Sequence, residues 1–413
     1  MRIYKRYGNG LRIIINKIEG LLSVTAGVLV KTGSGNESES ENGISHFIEH
    51  TVFKGTKKRS SFEISDYIDR IGAQINAFTS KELTCYYTKS TAEHLEDSLD
   101  VLSDLFFDAT FEKSELDKER GVIIEEINMS EDTPEDICLD LLAKSYYGTE
   151  GLGKTILGSS KNVKRFGKED VISYMDKYYC ADNVVISIAG NVDPAHAESL
   201  CEKYFAEKFT RFKSARQAKT SVIKRDNLFK TKKIEQAHLA LALPAYRAAD
   251  ERSDAFNIAN TVFGGGMSSR LFQKVREELG LAYSVYSYPS QYEDNGVLEI
   301  YAGVNTLSRD LAANAIMDEI RNFKKNKIDD AEFSRGKEQL KSSFVYGRES
   351  TATQMLLYGK YLIFLDKEFD FNERIKKLDS ITKDQVNEVI EDVFSVGKIA
   401  AATVGPARKP LDI

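Results

Sequence analysis

Short runs of apolar residues, some continuous and some alternating with polar ones, punctuate this chain and predict its strands. Each run is five to nine residues long. The predicted strands are Leu11–Asn16, Ser23–Lys31, Cys85–Lys89, Val184–Ala189, His238–Pro244, Gly296–Val304 and Ile399–Gly405.

Longer stretches carry apolar residues every three or four positions, which is the spacing of an amphipathic helix. The predicted helices are Ala92–Asp108, Lys113–Ser130, Pro134–Tyr147, Lys168–Tyr179, Ala195–Phe209, Leu307–Asn326, Asp330–Ser343 and Lys383–Phe394. Strand and helix groups alternate irregularly along the chain. This order predicts an α+β fold in which helices pack on one face of largely antiparallel sheets.

The two halves of the chain are similar in the order of their elements. His50–Gly55 aligns with Asn260–Gly265 at an offset of 210 residues, with four identities. We therefore predict an internal duplication, with similar domains at residues 1–212 and 229–413. The polar stretch at residues 213–228 has few large apolar residues and is the predicted linker.

Composition limits the class of protein. The 413 residues are 42% hydrophobic and 29% charged, which suits a globular chain of two domains. A net charge of −6 and the lack of a long basic run argue against a nucleic-acid partner. The four cysteines form no C-x-x-C pair, and the sequence shows neither a signal core nor a membrane-spanning segment. We therefore expect a cytoplasmic protein without a membrane partner.

The segment His46-Phe47-Ile48-Glu49-His50 is the strongest candidate for chemistry. On a helix, His46, Glu49 and His50 share one face. Two neutral imidazoles on one face can bind zinc, and the carboxylate between them can take a proton from a metal-bound water. The alternative is a pair of core histidines with ordinary hydrogen-bond partners. With five histidines in the chain, we favour the zinc site.

A catalytic zinc site needs a third protein ligand and one open position. Glu119 and Glu126 are seven residues apart, or two helical turns, so they share a face of the predicted helix, whereas Glu125 points elsewhere. Taken alone, an acidic helix of this kind is more often a solvated face.

A hairpin is predicted between these two segments. Ile75–Thr79 ends at the polar turn Ser80–Glu82, and a strand resumes at Thr84. If Ile75–Thr79 lies at a sheet edge, its unpaired backbone groups can bind an extended peptide by strand addition. An ordinary surface hairpin is the alternative.

Together, the H-x-x-E-H helix and the E-R-x-V-I-x-x-E segment that begins at Glu119 resemble the pitrilysin-type (M16) zinc metallopeptidases. The short bacterial members related to the β subunit of the mitochondrial processing peptidase are especially similar. Glu126 follows His50 by 76 residues, which is the family's spacing for its third ligand. The resemblance extends from about Leu11 to Gly405.

The resemblance implies roles for these residues. His46, His50 and Glu126 would bind one zinc ion per chain, Glu49 would be the general base, and Glu119 would support the site without binding metal. The expected activity is endopeptidase cleavage of extended or unfolded peptides.

The family's active-site edge strand corresponds to the segment Asn76, Ala77, Phe78 and Thr79. In the second half, Arg276 and Tyr283 match the family's substrate-clamping pair.

The second half would lack ligands, because Phe256, Ala259 and Asn260 stand where the first half has His46, Glu49 and His50. Family members of double length close four such domains around a chamber. A chain of this length would therefore form a homodimer with a closed cavity. Two rivals to an enzyme are a non-catalytic member of the same fold and a module that holds peptides without cleaving them.

Overall fold

Two β-sheets with separate hydrophobic cores organise the protein. A computed structural model describes residues 2–214 and 221–412. Its residues fall into two compact units. The first unit comprises the chain up to Ile127, a segment that begins at Thr155, and Tyr346–Phe369. The second comprises Asn128–Lys154, a segment that ends at Val345, and the chain from Asp370 onward.

Six strands form the sheet of the first unit. They are β1 (Arg2–Arg6), β2 (Arg12–Lys17), β3 (Ser23–Val30), β4 (Gln74–Thr79), β5 (Thr84–Thr91) and β6 (Val184–Gly190). Their order is β1-β2-β6-β3-β5-β4. β2 and β6 run parallel, and all other neighbours run antiparallel. Among the described residues, β4 pairs with β5 alone and therefore forms an edge.

Five strands form the sheet of the second unit. They are β7 (Asn227–Thr231), β8 (Gln236–Ala245), β9 (Ala282–Gln291), β10 (Gly296–Asn305) and β11 (Ala400–Gly405). The order β7-β11-β8-β10-β9 begins with a parallel pair and continues antiparallel. This is the topology of β2-β6-β3-β5-β4, so the sheets confirm the predicted α+β class and the internal duplication.

Helices connect these strands and cover the sheets. They are α1 (Ile44–Thr51), α2 (Ser61–Arg70), α3 (Leu95–Asp108), α4 (Lys113–Asp132), α5 (Pro134–Tyr147), α6 (Ser160–Val163), α7 (Lys168–Tyr178), α8 (Pro194–Cys201), α9 (Ser253–Phe263), α10 (Arg309–Asn326), α11 (Asp330–Gly347), α12 (Thr351–Leu365), α13 (Phe371–Ser380) and α14 (Lys383–Val393). Short π-helical segments occupy Glu202–Ala206 and Phe272–Glu278. Within the described part of the chain, no helix is both long and apolar enough to cross a membrane.

One face of the first sheet carries the main hydrophobic core. Ile13, Val28 and Ile186 of the sheet pack there with Phe47 of α1 and Leu102 of α3. The opposite face is covered by α12, whose Gly359 approaches the sheet closely. A Cβ at Gly359 would lie 2.6 Å from Leu29 Cδ2, so a side chain there would collide with β3. The first sheet is therefore covered by helices on both faces, which adds a layer to the predicted arrangement.

The second sheet has the same arrangement. Leu241 and Ile300 point into its main core, and the small residues Ala240, Ala242 and Ala402 pack in a separate cluster with residues of α5. α5 therefore covers the second sheet although it belongs to the first half of the sequence, while α12 covers the first sheet although it belongs to the second half. The two units are consequently not the continuous segments 1–212 and 229–413.

The predicted linker, residues 213–228, is only partly described, because residues 215–220 lie outside the described residues. From Lys224 the backbone is held at the end of α5, where Lys224 N donates to Tyr146 O at 2.8 Å and Asp226 N donates to Ser145 O at 2.9 Å. Asn227 already belongs to β7.

Candidate metal centre

The centre is built on α1, whose first turn is fixed by a buried carboxylate. Glu37 has no exposed surface and accepts hydrogen bonds from Gly43 N at 2.8 Å and Ser45 N at 2.9 Å. A carboxylate at this position satisfies otherwise unpaired N–H groups and interacts favourably with the helix dipole. Gly43 precedes the helix with φ 100°, a conformation that favours glycine. These contacts fix where α1 begins.

The apolar residues of α1 determine which face is left for chemistry. Phe47 and Ile48 are fully buried in the core of the first unit. The other face carries His46, Glu49 and His50, and the two imidazole centroids lie 4.6 Å apart. The residues of the motif thus share a face, as their spacing predicts.

α4 supplies the carboxylates. Glu119 is buried and Glu126 is partly exposed, with 38% of its side-chain surface accessible, and both face α1. Glu125 is exposed on another face of the same helix. The two-turn spacing of Glu119 and Glu126 therefore brings both to the histidines, at different points.

Three atoms with zinc-binding chemistry converge. Glu126 Oε2 lies 3.5 Å from His46 Nε2 and 3.3 Å from His50 Nε2. Ligands of a tetrahedral zinc with bonds of about 2.0–2.1 Å stand about 3.3 Å from one another. The group therefore fits zinc. Among the described residues it is the single cluster of three or more His, Cys, Asp or Glu side chains whose ligand atoms converge, all within 4.8 Å.

The protonation state of His46 suits a ligand. Burial lowers the pKa of His46 to about 4, and the neighbouring His50 acts in the same direction. The imidazole is consequently neutral at pH 7, which is the form that binds metal. His46 Nδ1 is buried and has no hydrogen-bond partner among the described residues.

Glu49 lies on the same face of α1 as the candidate ligands His46 and His50 but is not one of the converging group. Burial raises the pKa of Glu49 above its ordinary value. The nearby Glu126 carboxylate adds to this rise, while Thr79 and His50 act against it. Its Oε2 atom is buried without a hydrogen-bond partner within the described residues. Glu49 is thus a carboxylate with one oxygen available for a proton.

Glu119 contacts His50, a candidate ligand, on the side away from Glu126. Its Oε2 atom lies 3.2 Å from His50 Nδ1, and its Oε1 atom lies 2.7 Å from Lys54 Nζ. Because a carboxylate only accepts, the hydrogen belongs on Nδ1 and the Nε2 lone pair is left for a metal.

The predicted peptide-binding segment, Asn76, Ala77, Phe78 and Thr79, lies in the edge strand β4. This strand runs beside α1, and its last residue, Thr79, interacts with Glu49. Asn76 Oδ1 accepts a hydrogen bond from the neighbouring Ala77 N at 2.8 Å. The edge strand therefore leads directly to the carboxylate of the motif.

Arg276 and Tyr283 belong to the second unit and form a pair there. The Arg276 guanidinium lies 5.0 Å from the centre of the Tyr283 ring and 4.7 Å from that of Phe272. Tyr283 is 79% exposed. The structure thus brings these two residues together, and their role as a substrate clamp stays a prediction.

The second unit has no counterpart of the cluster within its described residues. The equivalent helix, α9, carries Phe256, Ala259 and Asn260 at the aligned positions. Phe256 and Ala259 are buried in the core, and Asn260 Oδ1 accepts a hydrogen bond from Ser287 Oγ at 2.7 Å. The duplicated helix is therefore used for packing.

Sequence reasoning missed two residues of this centre. Glu37 lies in a Ser- and Glu-rich lead-in that reads as an exposed turn, and Lys54 reads only as a cation near a helix end. Gly43 lies six residues from Glu37, and Glu119 lies 65 residues from Lys54. No short sequence pattern therefore predicts either contact.

Family models match most of the chain. Residues 12–160 match the model described as Insulinase (Peptidase family M16), and residues 165–340 match the Peptidase M16 inactive domain. The first match contains the candidate cluster, and the second contains α9.

Relatives and solved structures agree with these matches. A Bacillus subtilis protein described as an uncharacterized zinc protease, YmxG, is 42% identical over 405 residues, or 98% of each chain. A Streptomyces coelicolor protein, also described as an uncharacterized zinc protease, is 35% identical over 97% of this chain and 88% of its own. A Helicobacter pylori protease structure superimposes with a TM-score of 0.90 at 22% identity, covering 98% of this chain and 99% of its own. A Pseudomonas fluorescens structure of a peptidase M16 inactive domain gives 0.91 at 19% identity over the whole of both chains. The sequence relationships show that this chain belongs to the M16 family of zinc proteases.

Proposed function

We propose that this protein is a zinc-dependent endopeptidase that cleaves extended or unfolded peptides. The observation that carries the proposal is the convergence of His46, His50 and Glu126 at zinc-ligand distances with Glu49 beside them. A family of zinc proteases supplies the reaction class, namely metal-assisted hydrolysis of a peptide bond.

We assign each residue of the centre a role in metal binding or proton transfer. His46, His50 and Glu126 would hold the metal. Zinc, when bound, supplies a Lewis acid that polarises the scissile carbonyl and lowers the pKa of a water molecule. Glu49 takes the proton of the attacking water on its free oxygen and later delivers it to the leaving amine. Burial raises the pKa of Glu49, which makes its carboxylate a stronger base for the first of these two proton transfers.

The edge strand β4 supports the choice of substrate. A peptide that adds to Asn76, Ala77, Phe78 and Thr79 as a further strand would be held through its backbone, largely independently of its sequence. Because β4 leads to Glu49, a peptide in this register passes the candidate centre. Folded proteins cannot offer a free extended segment, so the proposed substrates are unfolded peptides.

We further propose that the active assembly is a homodimer with a closed internal chamber. Within the residues that the structure describes, one unit of the chain has the candidate metal-binding cluster and the other does not. Arg276 and Tyr283 would act on the substrate in the partner's centre, where Arg276 binds a carbonyl oxygen or developing oxyanion and Tyr283 donates its hydroxyl. The exposure of Tyr283 supports this role.

Four buried, unpaired cysteines fit a reducing compartment, and we propose that the protein is located in the cytoplasm.

Cleavage mapping tests the proposal. The protein is incubated with a mixture of denatured peptides, and new termini are mapped by mass spectrometry with zinc, with a chelator, and after zinc is restored. We expect internal cuts that chelation abolishes and zinc restores, and no cuts in a stably folded control protein. Cuts that persist in the chelator, or peptides that bind zinc-loaded protein and remain intact, would contradict the proposal. The second outcome would instead indicate a peptide-holding module.

A further inference from the structure

Lys54, which follows the end of α1, contacts Glu119, the carboxylate beside the candidate ligand His50. Lys54 lies one turn beyond His50, in the 3-10 turn Val52–Lys54 that follows α1. Its ammonium is 2.7 Å from Glu119 Oε1, and 30% of the Lys54 side-chain surface is exposed. The same short segment therefore carries the ligand His50 and the cation Lys54.

Glu119 is held between these two residues. One of its oxygens faces Lys54, and the other faces His50 Nδ1 at 3.2 Å. With 9% of its side-chain surface exposed, Glu119 is a nearly buried carboxylate, which needs a paired charge or hydrogen-bond donors. Lys54 and His50 supply one donor to each oxygen.

Other cations near Glu119 along α4 are engaged elsewhere. Lys118 pairs with Glu115 at 2.6 Å, and Arg120 pairs with Asp117 and donates to Phe166 O at 2.7 Å. Among the described residues, Lys54 is the one lysine or arginine within ion-pair distance of Glu119. Loss of Lys54 would leave the buried carboxylate with the imidazole alone.

We propose that Lys54 is a positioning residue that raises the zinc affinity of the centre by acting through Glu119. It fixes the carboxylate at one oxygen, so that the other oxygen holds the His50 ring with Nε2 directed toward Glu126. This inference rests on the zinc-binding part of the proposed function. It requires no particular substrate and no turnover.

A double-mutant cycle tests the inference, with the zinc dissociation constant as the readout. Zinc is partitioned between the protein and a chromophoric chelator of known affinity. The variants are Lys54→Met, Glu119→Gln and the double variant. Lys57→Met is the matched control, because Lys57 is exposed and pairs with Asp108.

We expect Lys54→Met to weaken zinc binding about tenfold, the lower end of the loss seen when a group that orients a metal ligand is removed. In the Glu119→Gln background, the same change should alter the dissociation constant less than about twofold. Lys54→Arg should keep most of the affinity because it keeps the cation. Lys57→Met should bind zinc as the wild type does. Circular dichroism of the metal-free variants checks that each is folded.

The inference is overturned if Lys54→Met binds zinc as tightly as the wild type, or if it weakens binding equally in both backgrounds. An arginine variant as weak as the methionine variant would also contradict it. Failure of the proposed function gives a different result. If the wild-type protein binds zinc tightly but cleaves no peptide, the peptidase proposal fails, while the effect of Lys54 on the zinc dissociation constant can still be measured.

Discussion

The two histidines of the centre have different surroundings. His46 is buried, with a pKa lowered to about 4 and no partner for its Nδ1 atom among the described residues. His50 has its Nδ1 atom against Glu119. A zinc site with these ligands would therefore depend on packing to orient one ring and on a carboxylate to orient the other. The carboxylates of α4 should differ correspondingly in their effects.

Substitutions of the three glutamates on α4 test that difference. Glu126→Gln removes an anionic ligand atom and should weaken zinc binding by at least about 100-fold. Glu119→Gln removes the negative charge beside His50 Nδ1 and should weaken zinc binding about 10–100-fold. Glu125→Gln is the control, because Glu125 is exposed on another face and should leave affinity unchanged. Zinc competition measures all three variants. A larger loss for Glu125→Gln than for Glu126→Gln would show that the assignment on α4 is wrong.

At the scale of elements, the sequence patterns predicted correctly which residues share a face of one helix. The spacing within His46–His50 places its polar residues on one face of α1, and the spacing of Glu119 and Glu126 places both on one face of α4. The strands β2, β3, β6, β8, β10 and β11 were also evident, because they consist largely of apolar residues. A strand of this kind is buried on both faces of its sheet, so these strands also indicate that helices cover both faces.

Other elements carry weaker patterns. β1 and β7 are short and largely polar, and β9 alternates serines with aromatic residues and contains Pro289. α12 is apolar around most of its circumference, so it lacks the period of an amphipathic helix. No local pattern can show that α5 covers the second sheet and α12 the first, because that choice depends on the shape of surfaces far away in sequence.

For the whole molecule, the duplication separates two tasks. One unit carries the candidate metal centre, and the other keeps the fold while its equivalent helix packs through Phe256 and Ala259. The proposed homodimer would allow the second unit of one chain to serve the centre of its partner through Arg276 and Tyr283. Isologous dimers are the commonest soluble assemblies, which favours this arrangement.

Subunit complementation tests the shared site. His50→Ala chains and Tyr283→Phe chains should each be nearly inactive alone. Mixed dimers should regain part of the activity, because one of their two centres joins an intact metal site to an intact Tyr283. Self-mixed samples of each variant are the controls. If verified subunit exchange restores nothing, the clamp does not act between chains.

The central claim is that this chain holds a catalytic zinc with Glu49 as its base, and one paired measurement on Glu49→Gln tests it most directly. Zinc per chain and peptide turnover are measured on the same preparation, beside wild type and His50→Ala. We predict about one zinc per chain in wild type and in Glu49→Gln, turnover only in wild type, and neither zinc nor turnover in His50→Ala. The amide of Glu49→Gln cannot accept the proton of water, although the three ligands remain. A zinc-loaded Glu49→Gln variant that cleaves peptides at the wild-type rate would contradict the account.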